Sequence, residues 1–394
     1  MLETFLEFLN STRFNATPPD GLKDLYNTSE YVTSQNYKKD KLRLSIIQSS
    51  SFVFILLLFL QLDGFRFVDA MANSLVESSV LVSLIFFGIL FFASELLSLP
   101  YEYYATFVIE EKYGFNTSTR ALFWVDKLKS LALGIFLGGL VLGVILLFYK
   151  SIGLDFWWYA WILITCISFL LNMFYAKLFV PLFNVQTPLA SGRLRNEIEH
   201  YAAKMNFSLQ HMYVIDGSKR SQKSNAYFSG FGKEKRITLY DTLLKDLDAE
   251  EVVAVLAHEV GHYKKNHIII SFLISTLSVG FTLWLLSLWV SEPLLAQALG
   301  VKEPSFHIGL VAFSFIYTPL SMVLGLISNS ISRKFEYQAD DFAKQTYSGF
   351  HLSSALKKLS KKSLSNLTPH PAYVYFHFSH PPLLKRLQNL ENNL

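Results

Sequence analysis

Three residues in one short stretch have the types and spacing for metal-assisted hydrolysis. His258, Glu259 and His262 form H-E-x-x-H. Residues four apart share a helical face, so both imidazoles can point at one Zn²⁺. Glu259 follows the first histidine, where its carboxylate can take a proton from a water attacking a carbonyl and pass it to the leaving amine. The plain alternative is a pair of surface histidines on an ordinary helix. Against it, the spacing predicts a helix with a defined start. Asp248 can cap it, and Glu251, three residues on, completes a capping box.

A catalytic zinc takes three protein ligands and keeps one position open. Glu336 is the best candidate for the third, with Asp340 one turn further on the same face. Asp340 could accept the second N–H of a ligand histidine and fix its tautomer. On spacing alone, a solvated charge ladder of Arg333, Glu336 and Asp340 stays open. The run Asn225-Ala226-Tyr227-Phe228 reads as a strand that could hold an extended peptide on a sheet edge, with Asn225 bonding its backbone. An ordinary structural strand fits it as well. His380, before Pro381 and Pro382, could donate to a developing oxyanion, or could be a turn histidine.

These groups must be positioned by a chain of unusual composition. Of 394 residues, 17% are charged and 51% hydrophobic, with 35 Phe. An average soluble protein is about 25% charged. Six stretches are each near the ~20 residues that cross a bilayer. They run Leu44–Leu62, Ser78–Pro100, Leu131–Tyr149, Phe156–Ala176, Ile268–Val290 and His307–Ser328. The first begins too far into the chain to be a signal peptide. The single Cys excludes an internal disulfide and a Cys-rich metal site. A net charge of +4 is too weak to imply nucleic acid.

Lys and Arg collect in alternate loops, so the positive-inside rule puts both termini, the 177–267 segment and the tail in the cytosol. The fold class expected is a mainly α membrane protein with a cytosolic α+β zincin-like domain. The divisions are 1–43, an N-terminal segment; 44–176, four spans; 177–267, the metallopeptidase domain; 268–328, two spans; and 329–394, a C-terminal segment with the third ligand. Within the domain, Gly192–Met205 has helical spacing. His211–Ile215, Asn225–Ser229 and Arg236–Tyr240 read as strands, the last two joined across 230–233. Glu95 and Asn172 are costly against lipid and should face a wet interior or each other. Met1–Asn10 is amphipathic and too short to span.

Read together, these stretches resemble the type I CaaX prenyl proteases. The resemblance is carried by Asp216–Phe228 (DGSKRSQKSNAYF), Lys235–Leu244 (KRITLYDTLL), His258–His262 (HEVGH), Phe335–Asp340 (FEYQAD) and Tyr375–Pro382 (YFHFSHPP). It extends from about Pro18 to near the C-terminus. It implies one zinc ion per chain on His258, His262 and Glu336, Glu259 as general base, and Asp340 as partner of a ligand. It also implies that Asn225, Ala226 and Tyr227 bind substrate and that His380 stabilises the transition state. The implied fold is a ring of membrane helices around a water-filled chamber, with the site facing inward. Family members usually have seven spans, one of them ahead of Thr17–Gly21, where this chain shows six and begins with what resembles that helix's tail.

The leading expectation is an endopeptidase in the bacterial inner membrane or the ER membrane, cutting the C-terminus of prenylated proteins. Two alternatives stay open. One is a metalloprotease that clears damaged membrane proteins without regard to lipid. The other is a non-enzymatic scaffold or channel, which would not need the full set of His258, Glu259, His262 and Glu336.

Overall fold

The computed structural model describes residues 2–391 apart from 15, 16, 24, 208, 210 and 231–234. Most of the turn expected between the second and third strand-like runs lies outside the described residues.

Helix α1 (Leu2–Ser11) precedes α2 (Thr28–Gln61), which starts at a capping box. The Asn27 Oδ1 accepts the Glu30 N–H at 2.8 Å and the Glu30 carboxylate accepts the Asn27 N–H at 3.1 Å. The chain continues as α3 (Gly64–Leu75), α4 (Ser79–Tyr104) with a π-helical turn at Ala105–Glu110, α5 (Arg120–Ile152) and α6 (Phe156–Leu178). Five stretches are long and apolar enough to cross a membrane. One of them, Arg120–Leu178, holds both α5 and α6, broken at Gly153, so the six expected spans are present. The other two spans, later in the chain, are α11 (His267–Trp289) and α13 (Phe306–Ala343). Helix α2 begins sixteen residues before the span expected at Leu44, and α13 continues fifteen beyond Ser328. The boundary at 328/329 is therefore a change of surroundings along one helix. The most apolar windows of the five stretches are only 0–17% buried. The spans meet in places, as Ile145, Phe156, Leu283 and Phe313 of α5, α6, α11 and α13 do in one cluster, and the rest of their apolar surface is left uncovered and suited to lipid.

Between α6 and α11 lies a small mixed domain. A short α7 (Val180–Phe183) leads to β1 (Gln186–Pro188), α8 (Arg193–Lys204), β2 (His211–Ile215), β3 (Ala226–Ser229), β4 (Arg236–Tyr240), α9 (Asp241–Asp246) and α10 (Ala249–Lys264). The sheet order is β1-β2-β4-β3. Strand β2 runs parallel to β4, while β1 and β3 pair antiparallel at the two edges. One face of this sheet packs with Ile198 and Tyr201 of α8 and Val252, Leu256 and Val260 of α10 in a single apolar core. Short α12 (Pro293–Ala298) precedes α13, and α14 (Gly349–Lys362), α15 (Pro371–His377) and α16 (Leu383–Glu391) complete the chain.

The two ends of the spans are built differently. At one end, Leu22, Tyr26 and Tyr31 pack with Leu367 and Leu387, joining the N-terminal segment to the tail. At the same end Asn116 bridges to Ser221, and Arg220 makes a bidentate pair with Asp126 at 2.6 and 2.9 Å. The basic segments therefore meet on one side, as their alternation predicts. At the other end, α3, α12 and the first turns of α4 and α13 share an apolar cluster around Phe86 and Ile308. There His307 is buried, 2.9 Å from Ser83 Oγ and 2.8 Å from Asp69 Oδ1. Glu95 and Asn172 do not meet. Lys127 reaches Glu95 at 2.7 Å and Glu102 at 2.7 Å, so an ion pair answers the Glu95 charge. Asn172 donates to the Ser168 carbonyl and lines a cavity.

Candidate metal centre

The helix α10 is fixed before it is useful. At its start the Glu251 carboxylate accepts the Asp248 N–H at 2.9 Å, the capping box expected from spacing. Glu251 is buried, and burial works against its charge. Lys358 at 2.8 Å and the Ser354 hydroxyl at 2.6 Å outweigh that and hold the carboxyl below its ordinary range. Val253, Ala257 and Val260 are fully covered. Near the motif, α10 and α13 pass in close contact. A Cβ added at Gly261 would lie 3.1 Å from Ala339 Cα and 3.1 Å from Phe342 Cβ. A glycine at this place in the motif is what allows α13 to approach.

That approach brings the third acid in. His258 Nε2 and His262 Nε2 lie 3.2 Å apart. Glu336 Oε2 is 3.5 Å from His258 Nε2, and Glu336 Oε1 is 3.3 Å from His262 Nε2. Among the described residues this is the one group of three His, Cys, Asp or Glu side chains close enough to hold a metal ion. A tetrahedral zinc with bonds of about 2.0–2.1 Å separates its ligand atoms by about 3.3–3.4 Å. The 3.2 Å between the two imidazole nitrogens matches one edge of such a tetrahedron, and each nitrogen has a Glu336 oxygen at a like distance, Oε2 for His258 and Oε1 for His262, so the residues present fit the ion.

The electrostatics agree. Burial disfavours a charge on His258, yet Asp340 and Glu336 outweigh it and push the imidazole up to about 9. Two carboxylates thus make a pocket that favours a cation. Asp340, with no exposed side-chain surface, accepts from His258 Nδ1 at 2.9 Å. That bond leaves Nε2 facing His262 and Glu336. Asp340 in turn accepts two bonds from Arg386 on α16, at 2.9 and 2.6 Å. Arg386 is buried as well and stands 3.4 Å from Glu336.

Glu259 faces a cavity of about 570 Å³ between α6 and α11. His262, Glu336 and His380 border it, and Ser168, Asn172, Ser271 and Ser275 make much of its wall polar. His380 sits 3.3 Å from Glu336 Oε1, with its side chain 62% exposed and its Nδ1 2.9 Å from Ser379 Oγ. It is brought to the site from 44 residues beyond Glu336.

The strand-like run expected to hold a peptide is an edge strand. On β3, Ala226 pairs with Leu239 and Tyr227 with Thr238. Asn225 C=O accepts the Tyr240 N–H at 3.1 Å. Backbone pairs in an antiparallel ladder alternate, so Asn225 and Tyr227 bond inward to β4 while Ala226 and Phe228 turn their N–H and C=O to the free edge. The cavity wall includes all of Ala226, Tyr227 and Phe228. The Asn225 Oδ1 accepts the Ala226 N–H at 2.9 Å and so covers one free-edge donor.

Two residues at the site carry no sequence signal of their own. Arg386 lies in a basic tail, and only the fold brings it beneath Asp340. His267 lies 3.1 Å from His262, but at a spacing of five that places it off the motif's face.

Comparisons with known proteins match the chain along nearly its whole length. Residues 8–185 match the family model described as CAAX prenyl protease N-terminal, five membrane helices. Residues 188–394 match that of peptidase family M48. CAAX prenyl protease 1 of Saccharomyces cerevisiae is 35% identical over 419 residues, covering 99% of this chain and 92% of that protein. The CAAX prenyl protease 1 homolog of Mus musculus is 33% identical over 443 residues, covering 99% and 92%. The crystal structure of S. mikatae Ste24p superposes with a TM-score of 0.94 at 34% identity, covering 99% of this chain and 96% of that one.

Proposed function

The chain belongs to peptidase family M48, in its CAAX prenyl protease branch, and we propose that this multi-pass membrane endopeptidase cleaves prenylated C-termini with one zinc ion on His258, His262 and Glu336. The observation that carries the zinc assignment is the donor cluster, with the two histidine Nε2 atoms 3.2 Å apart and a Glu336 oxygen 3.5 Å from one and 3.3 Å from the other. Bound there, zinc supplies a Lewis acid that polarises the scissile carbonyl and lowers the pKa of water.

The remaining chemistry belongs to the chain. Glu259 takes the proton from the attacking water and returns it to the leaving amine. Asp340 orients His258, and Arg386 holds Asp340. His380 donates to the oxyanion from beside Glu336. The substrate peptide lies along β3, bonded to Ala226 and Phe228, and replaces the Asn225 side chain at the Ala226 N–H. Tyr227 lies between those two free-edge positions and helps line the binding wall. The partners are a protein C-terminus carrying an isoprenyl group and the lipid bilayer.

The eukaryotic relatives favour the ER membrane over a bacterial inner membrane, and the basic segments favour the cytosolic side for the metal centre. The test compares one peptide, farnesylated or bare at a C-terminal Cys, cut by purified protein and by Glu259→Gln. Cleavage of the farnesylated form, lost by at least about 10²-fold in the variant, is expected. Equal cleavage of both peptides would favour the reading of a general membrane-protein peptidase.

A further inference from the structure

Helix α10 ends at Lys264, and Asn266 has φ +59°, a left-handed conformation that Asn tolerates better than most residues. The break matters for His267. On a continuous helix, a spacing of five would put His267 about 140° around from His262. After the turn at Asn266 its ring instead comes back against the motif. His267 Nδ1 lies 3.1 Å from His262 Nδ1, and its Nε2 lies 2.8 Å from Gln338 Oε1. The ring is 3% exposed and stacked on Phe335, with centroids 4.1 Å apart and planes at 7°.

The directions of these bonds follow from chemistry. The Gln338 oxygen can only accept, so His267 Nε2 carries the hydrogen. Its Nδ1 is then a lone pair, and His262 Nδ1 must donate to it. A His262 protonated at Nδ1 presents its Nε2 lone pair, the atom 3.2 Å from His258 Nε2 and 3.3 Å from Glu336. We infer that His267, held by Gln338 and Phe335, is a positioning residue that fixes the tautomer and ring orientation of His262 as a metal ligand. It does for His262 what Asp340 does for His258, with a neutral ring in place of a carboxylate. Phe335 and Gln338 flank Glu336 on α13, so one helix supplies the third donor and orients the second. This inference rests on the reading of His262 as a ligand.

The test measures zinc affinity of the full-length protein in detergent by competition with a chromophoric chelator. Four variants are compared with the parent: His262→Ala, His267→Leu, His267→Asn and Gln338→Leu. Loss of a group that orients a metal-bound histidine typically weakens metal binding by about 10–100-fold. His267→Leu should show a loss of that size. His267→Asn keeps an acceptor near the Nδ1 position and should stay within about threefold of the parent. Gln338→Leu leaves the His267 ring in place but frees its tautomer, and should weaken binding by about three- to tenfold. A purely structural role for His267 would lower the melting temperature of His267→Leu and leave the zinc affinity of its folded fraction unchanged. That result, or an Asn variant as weak as the Leu variant, overturns the inference. If His267→Leu fails to fold, parent-like affinity in Gln338→Leu overturns it. Zinc retained at parental affinity in His262→Ala would overturn the ligand assignment beneath it, an outcome distinct from the others.

Discussion

Substitution of Gly261 by Ala tests whether the contact between α10 and α13 sets the metal site. The new Cβ would sit 3.1 Å from Ala339 Cα and from Phe342 Cβ. Ordinary carbon contacts begin near 3.5 Å, so the helices must part by about 0.4 Å. Two energies compete in stability. Overpacking costs about 1–3 kcal/mol, and replacing Gly by Ala inside a helix returns about 1 kcal/mol. The net is a loss of about 0–2 kcal/mol, and the protein should fold. Geometry at the site has no such compensation. Glu336 lies one turn before Ala339 and moves with it, so the distances of 3.5 and 3.3 Å from its two oxygens to the histidines would open by about 0.4 Å, well beyond the ~3.3–3.4 Å between ligands of a zinc tetrahedron. A misplacement of about 1 Å costs on the order of 10²-fold in rate, so about tenfold is expected here. The assay is peptide cleavage per folded molecule beside thermal melting. Gly325→Ala, on α13 with nothing within 4 Å of its new Cβ, is the control; it should keep parental activity and gain up to about 1 kcal/mol of stability. Parental activity in Gly261→Ala would mean that the helix contact does not set the site. So would a large stability loss without an effect on folded molecules.

Arg386→Met should be among the most damaging single changes. It strands the Asp340 carboxylate, which has no exposed side-chain surface, at a cost of about 3–5 kcal/mol. Melting measurements should show this, and an unchanged melting temperature would count against the pair. Adding Asp340→Leu should recover stability without recovering activity, because His258 then lacks its orienting acceptor. A pH series tests the α10 cap. Glu251 has its folded pKa depressed below the ordinary glutamate value of 4.5, so its contribution is complete above that value and lost as pH falls through the folded one. The melting-temperature gap between parent and Glu251→Gln should be constant above about pH 5 and shrink below about pH 4. A gap that widens on acidification would reverse the assignment.

What was legible in the sequence was whatever rests on local spacing. The two histidines of H-E-x-x-H share a face because both lie on one helix, and the Asp248–Glu251 cap is a three-residue relation. Strands β2 and β4 fall on the residues expected, and β3 begins one residue later, at Ala226. The six spans follow from composition. Long-range relations were not legible from spacing. On spacing alone Glu336 as ligand stands only slightly ahead of a solvated ladder; the fold brings it in where Gly261 lets α13 against α10. Arg386 reaches Asp340 from 46 residues away and carries no pattern. Strand β1 is three residues ending in Pro188, held by pairing with β2 and lacking any strand signal. His267 was hidden for another reason. Spacing arguments assume an unbroken helix, and Asn266 breaks it.

These relations also explain why the domain between α6 and α11 cannot be the whole catalyst. Residues 177–267 hold His258, Glu259 and His262, but the third donor, its neighbour Asp340 and the arginine under it all come after the last span. Helix α13 runs from Phe306 at the far end through Pro319 to Ala343, so the Glu336 carboxylate stands on the same helix as a span. The proposed substrate edge is tied in the same way. Tyr227 of β3 and Tyr240 of β4 pack on Ala176 and Val180 where α6 leaves the membrane. Just before β3, Lys223 pairs with Glu110 at 2.7 Å, at the end of the π-helical turn after α4. A peptide on β3 and a metal beside Glu336 would thus be held by two separate groups of spans, with the polar cavity between α6 and α11 opening onto both. The spans therefore do more than anchor the enzyme. On the proposed substrate path they would set the distance between the scissile bond and the groups that cut it.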